Sequence, residues 1–98
     1  MIRIILPTHL WRLANTKREI ALDVEGTATI GLLLDVLETQ YPMLRGTVRD
    51  HTTKERRPFI RFFICGEDWS HEPTDSPLPD QITSGEEPLR IVGALAGG

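Results

Sequence analysis

The chain opens on an alternating stretch, with Ile2, Ile4 and Leu6 on one face and Arg3 and Ile5 on the other. This period of two predicts a strand that Pro7 ends or confines to a sheet edge. Residues 18–24 repeat the pattern: Ile20, Leu22 and Val24 alternate with Glu19, Ala21 and Asp23, as in a strand with one wetted face. The polar segment between them, with Asn15, Thr16 and Lys17 at the expected turn, is short enough for the two strands to pair as a hairpin.

After Gly26 the period changes. Ile30, Leu33, Leu34, Leu37 and Tyr41 fall at helical spacing, Thr29 stands where a cap belongs, and Pro42 stops the run. Residues 43–58 hold Leu44 and Val48 among charged groups, which predicts a short helical turn followed by a flexible loop. Phe59–Cys65 reads as a strand with two apolar faces. Gly66-Glu67-Asp68 reads as a turn, after which Trp69 opens a short strand. Pro73, Pro77 and Pro79 exclude a regular central strand over residues 72–85, and Leu89–Val92 is the last strand.

One helix against one face of a mixed sheet buries the apolar side of every element. The crossover rule sets the first and last strands side by side in the middle of that sheet. The expected fold is therefore α+β, a ubiquitin-like β-grasp with four to five strands and one main helix. It forms a single domain over residues 1–98, with 92–98 as a flexible tail.

Composition narrows the function. A domain of 98 residues spends most of its apolar side chains on its core, which leaves little room for a deep active site. A formal net charge of -3 argues against nucleic acid as a partner. No apolar run approaches a membrane span, and Arg3, Pro7 and Arg12 interrupt the apolar start where a signal peptide would not. With a single cysteine, Cys65, no internal disulfide forms, so a cytoplasmic location is expected.

Gly66-Glu67-Asp68, the segment Thr74–Leu78, the acidic turn Ser84–Glu87 and the closing Ala96-Gly97-Gly98 occur in an order that resembles the MoaD/ThiS family of ubiquitin-like sulfur carriers. The opening Leu6–Leu10, the helix and the strand around Phe59–Ile64 are most similar to the branch serving cysteine biosynthesis. Gly93 departs from the family pattern, where proline is frequent.

The resemblance implies a carrier, not an enzyme. Gly98 would present a carboxylate, ionised at neutral pH, for adenylation by an E1-like activating enzyme and conversion to a thiocarboxylate. The chain itself would bind no cofactor or metal, since ATP and Mg belong to the activating enzyme. The other implied partners are a sulfur-accepting synthase and a metalloprotease that trims the tail. The small residues Ala96, Gly97 and Gly98 suit a narrow channel, and from Gly93 onward the extended chain reaches about 20 Å. A ubiquitin-like modifier joined through Gly98 to target lysines shares the chemistry as far as the adenylate and stands as the alternative. The product that receives the sulfur, whether cysteine, molybdopterin or thiazole, stays open.

Phe59, Arg61 and Phe63, with Leu95 from the tail, are the expected partner-binding residues, because an aromatic patch with an arginine on the helix-free face suits docking. A dimer contact or cover by a loop accounts for the same pattern. Cys65 reads either as a small buried hydrophobe or as a sulfur relay. Glu67, Asp68, His71 and Glu72 read as a solvated turn rather than a metal site, lacking further ligands at zinc spacing. Lys54, Arg56, Arg57 and Arg61 form a basic run that reads as a solvated loop or a docking surface for an acidic partner. His9 and His51 have no partners that suggest a catalytic triad.

Overall fold

The structure, a computed structural model, describes residues 1–93. Five strands form one mixed sheet: β1 (Ile2–Ile5), β2 (Glu19–Leu22), β3 (Ile60–Ile64), β4 (Glu67–Asp68) and β5 (Leu89–Gly93), in the order β2-β1-β5-β3-β4. The first and last strands are adjacent and parallel at the centre, as expected, with Ile4 opposite Leu89 and Ile5 opposite Arg90. β2 pairs antiparallel with β1, and β3 antiparallel with β5 from Ile60↔Gly93 to Phe63↔Arg90.

The main helix, α2 (Ile30–Gln40), begins where Thr29 accepts a hydrogen bond from the Leu32 N–H at 3.1 Å, which satisfies one of the free donors of the first turn. Its apolar stripe of Ile30, Leu33, Leu34 and Leu37 meets Ile4, Leu22, Phe62, Ile64, Leu89 and Ile91 in one core, with Leu33 and Leu37 fully enclosed. A 3₁₀ turn at Pro42–Leu44 follows and buries Leu44.

Two short helices were not expected. α1 (Thr8–Leu13) occupies the connection between β1 and β2, which the sequence presents as a polar turn. Pro7 precedes the helix with its ring-fixed φ of -68° and an extended ψ of 158°, and Leu10 and Ala14, four apart, are buried beneath it. The turn at Asn15 is present after α1, with a positive φ of 53°. α3 (Asp80–Thr83) starts directly after Pro79 and seats Ile82 in the core. β4 ends before Trp69, whose N–H donates to the Phe62 carbonyl at 2.7 Å. β5 extends through Val92 and Gly93, so these two residues belong to the sheet rather than to a tail. The tail residues Leu95, Ala96, Gly97 and Gly98 lie outside the described residues.

The loop after the 3₁₀ turn is fastened rather than loose. Val48 and Arg49 are buried, and Arg49 and Arg56 form a β-bridge. The Arg49 guanidinium donates through Nε to Glu38 Oε2 at 2.9 Å and through Nη2 to Glu38 Oε1 at 3.1 Å, and also reaches Asp35. Burial opposes the arginine's charge, but the bonds to Glu38 and Asp35 outweigh it and lift its pKa above the ordinary value.

Candidate functional site

Because β3 alternates, Ile60, Phe62 and Ile64 enter the core while Arg61 and Phe63 point to the side without the main helix. Sheet register lines up Glu19, Ile5, Arg90, Phe63 and Asp68 across that face, with Arg61 beside Val92 in the next row. Phe63 is half-buried among these neighbours, whereas Phe59, just before the strand, is 55% exposed, and Val92 is also open to solvent. Of the expected docking residues, Arg61 and Phe63 therefore share the side without the main helix, on a strand paired with β5, while Phe59 is an exposed turn residue just before that strand.

The charged groups on this side are paired in part. Arg61 Nη1 lies 3.3 Å from Asp68 Oδ2 and 3.4 Å from His71 Nε2. The Ser70 hydroxyl and backbone N–H, followed by the positive charges of Arg61 and His71, hold Asp68 below the usual aspartate range. Arg3 pairs with Glu19 at 3.1 Å and donates to the carbonyls of Gly85 and Glu86. That second set of bonds ties the acidic turn Ser84–Glu87 to β1, a task nothing in the sequence announces. Arg18 and Arg90 are exposed.

The segment Thr74–Leu78 acts on the helix instead of on the face. The Thr74 carbonyl accepts from the Gly31 N–H at 2.9 Å, and Leu78 N–H donates to the Ala28 carbonyl at 2.9 Å, so the segment straps the start of α2.

Other candidates fall into place differently from their sequence reading. Arg56 donates to the carbonyls of Ser70, Ile60 and Arg57, and Arg57 to that of Gly46. Lys54 Nζ stands 3.9 Å from Glu38. The basic run thus gives many of its donors to its own backbone and carboxylates, while Lys54 and Arg57 stay exposed to solvent. Cys65 is exposed, not a buried hydrophobe. It shares a tight β3–β4 turn with Gly66, both at positive φ (50° and 82°), which suits glycine better than cysteine. Glu67, Asp68, His71 and Glu72 stay in the turn region, and among the described residues no group of three or more His, Cys, Asp or Glu comes together to hold a metal. No described helix is long and apolar enough to cross a membrane.

No protein-family model and no curated protein matches the sequence. Solved structures do match over nearly the full length. The crystal structure of SAMP1 from Haloferax volcanii is 25% identical, covers 98% of this chain and 97% of its own, and superposes with a TM-score of 0.73. Mycobacterium tuberculosis CysO is 18% identical, with 97% of this chain and 100% of that chain covered and a TM-score of 0.74. A chain in the BexX/CysO complex of Amycolatopsis orientalis, also 18% identical, is covered completely in both directions with a TM-score of 0.74. These likenesses agree with the fold that the motif resemblance implies. With β1 and β5 parallel at the centre of a five-stranded sheet and α2 packed across it, the chain has the ubiquitin-like β-grasp fold.

Proposed function

We propose that the chain is a sulfur carrier whose Gly98 is activated and thiocarboxylated. The observation that carries this reading is the course of β5: the central strand of a β-grasp sheet, shared with CysO and SAMP1, leads into Leu95-Ala96-Gly97-Gly98. On this reading the Gly98 carboxylate attacks the α-phosphate of ATP and displaces pyrophosphate, giving an acyl-adenylate. A persulfide sulfur then attacks the acyl carbon and expels AMP. A thiol cleaves the S–S bond of the resulting acyl persulfide, leaving the thiocarboxylate and a disulfide. The E1-like enzyme supplies ATP, Mg and the catalytic groups, and this chain supplies the reacting terminus and a face for docking. Phe59, Arg61 and Phe63 form that face, with Leu95 and the small residues Ala96 and Gly97 entering the channel. A synthase accepts the sulfur, and the complex of BexX with CysO supports a carrier that docks with a partner protein. A metalloprotease that frees or trims the terminus completes the set.

The modifier reading has one observation in its favour, the likeness to SAMP1, also known as a small archaeal modifier protein. Intact-mass measurement after incubation with the cognate activating enzyme, ATP and a sulfur donor separates the two. One carboxyl oxygen replaced by sulfur supports the carrier. Isopeptide adducts on other proteins without any thiocarboxylate support the modifier. Deleting Gly97 and Gly98 withdraws the carboxylate by about 7 Å and is expected to abolish adenylation with thermal stability nearly unchanged. Adenylation that survives this deletion rejects both readings.

A further inference from the structure

Four arginines border the helix-free side of the sheet: Arg3 on β1, Arg18 just before β2, Arg61 on β3 and Arg90 on β5. Arg3 is bonded to Glu19 and Arg61 to Asp68. Arg18 and Arg90 are exposed, and neither has a side-chain hydrogen bond or ion pair among the described residues. Glu19 is already committed: the hydrogen bond from Arg3, with the added positive charges of Arg18 and Arg90, holds its carboxyl below the ordinary range. One carboxylate thus stands among three guanidinium groups, which leaves this corner positive on a chain whose formal net charge is -3.

Arg90 lies at the centre of the face, with Ile5 opposite it on β1 and Phe63 opposite it on β3. Hollows open on both sides of it. One, of about 250 Å³, is lined by Ile5, Pro7, Thr8, Arg18 and Arg90, and exists because β1 turns off at Pro7 while β5 continues beside β3 to Gly93. The other, of about 430 Å³, is lined by Phe63, Cys65, Glu87 and Arg90. An exposed guanidinium is content in water, so lack of a partner alone marks nothing. What marks this pair is its place, on the walls of two hollows with the apolar Ile5 and Phe63 beside it. We infer that Arg18 and Arg90 dock an acidic, partly apolar segment of the activating enzyme, with its carboxylates at the two guanidinium groups; this rests on the carrier reading. A guanidinium takes a carboxylate through two parallel N–H bonds, and an arginine beside an aromatic ring at the centre of a patch is the usual anchor of an interface. Glu19, Asp68 and Glu87 space the positive charge into separate points, which suits a peptide's carboxylates and opposes a continuous phosphate backbone.

The test is calorimetric titration of the full chain into the activating enzyme of the same organism without ATP. Arg18→Gln and Arg90→Gln are each expected to raise Kd about tenfold with the urea midpoint nearly unchanged. Arg90→Lys, which keeps the charge and loses the fork, falls between. Glu87→Gln tightens binding by removing a like charge, and raising salt from about 50 to 300 mM weakens the parent more than the double arginine variant. Arg45→Gln, on a hollow shared with Asp35 and Glu38, is the control for lost charge and leaves Kd in place. A double variant that binds like the parent, or a control that weakens as much, overturns the inference. So does a concentration-dependent dimer that the double variant abolishes, since the occupant is then a second copy. A hexaglutamate peptide probes the surface without any enzyme: the side-chain Nε–H signals of Arg18 and Arg90 are expected to shift in NMR spectra. No shift, or equal shifts from a uridine oligonucleotide at lower concentration, overturns the acidic-protein assignment. Peptide shifts without pyrophosphate exchange with any activating enzyme refute the carrier reading and the partner named. Binding and exchange equal in parent and double variant refute the docking role alone.

Discussion

Arg49→Ala isolates the strongest electrostatic commitment in the molecule. Arg49 and Glu38 are exposed by only 5% and 7%, and two parallel bonds join them, so removing the guanidinium leaves a carboxylate enclosed with Lys54 Nζ, at 3.9 Å, as its nearest cation. Breaking a buried pair from one side costs about 3–5 kcal/mol. Asp35, the third member, has a side chain 60% exposed and rehydrates freely, which sets the expected loss at the lower end, about 3 kcal/mol. A domain of this size holds about 5–15 kcal/mol in total, so the variant forfeits a substantial fraction of its stability. Its melting temperature falls by at least about 12 °C at about 4–8 °C per kcal/mol. Urea denaturation is the assay, with a lowered midpoint and an unchanged slope as the expected result. The pair Arg49→Met with Glu38→Leu removes both charges and fills the volume, and should come back to within about 1 kcal/mol of the parent. A single variant that loses under about 1 kcal/mol, or a double variant as unstable as the single, would show that the ion pair does not hold the loop as reasoned.

Leu37→Ala, at a fully enclosed position of α2, is expected to cost about 2–5 kcal/mol in the same assay. Phe63→Glu should leave the urea midpoint nearly in place and weaken association with the activating enzyme by about 2 kcal/mol or more, read by calorimetry; unfolding of the variant would assign Phe63 to the core instead. Acid should also register on the surface. Asp68 and Asp50 are held below their ordinary value of 3.8, chiefly by hydrogen bonds from Ser70 and from Thr53 and Thr52. Their stabilising contribution is complete above pH 3.8 and is lost as pH falls through their lower folded values, so Asp68→Asn should flatten the stability profile below pH 4 while a profile unchanged in slope would refute the link.

The parts of the fold legible in sequence are those whose periodicity runs long enough to be distinctive. Eleven residues of α2 show three full turns of apolar stripe, with a cap before and a proline after. β2 and β5 alternate cleanly, β1 and β3 are short runs rich in β-branched and aromatic residues, and their order through one helix leaves few topologies. α1 escaped because six residues hold fewer than two turns, and Pro7, which also starts helices, stood where a strand had to end. α3 is shorter still and hides among prolines. For the site, the alternation of β3 was enough to direct Arg61 and Phe63 away from the core. The internal partners of the basic run were not legible, because charge along a loop carries no record of what it will meet. Arg49 and Glu38 are eleven residues apart, and only the fold brings them together.

The position of β5 decides how the body bears a pull on the chain that follows it. The strand is laced on one flank to β1 and on the other to β3. Traction applied beyond Gly93 along the strand axis loads both ladders in shear, so their bonds must yield together. An edge strand such as β2 or β4, pulled the same way, would set only one ladder against the load. Resistance to forced unfolding follows the height of the unfolding barrier rather than the equilibrium stability. A pull on the chain beyond Gly93 is therefore borne by the strand best placed to resist it, and the domain beneath stays rigid under that load.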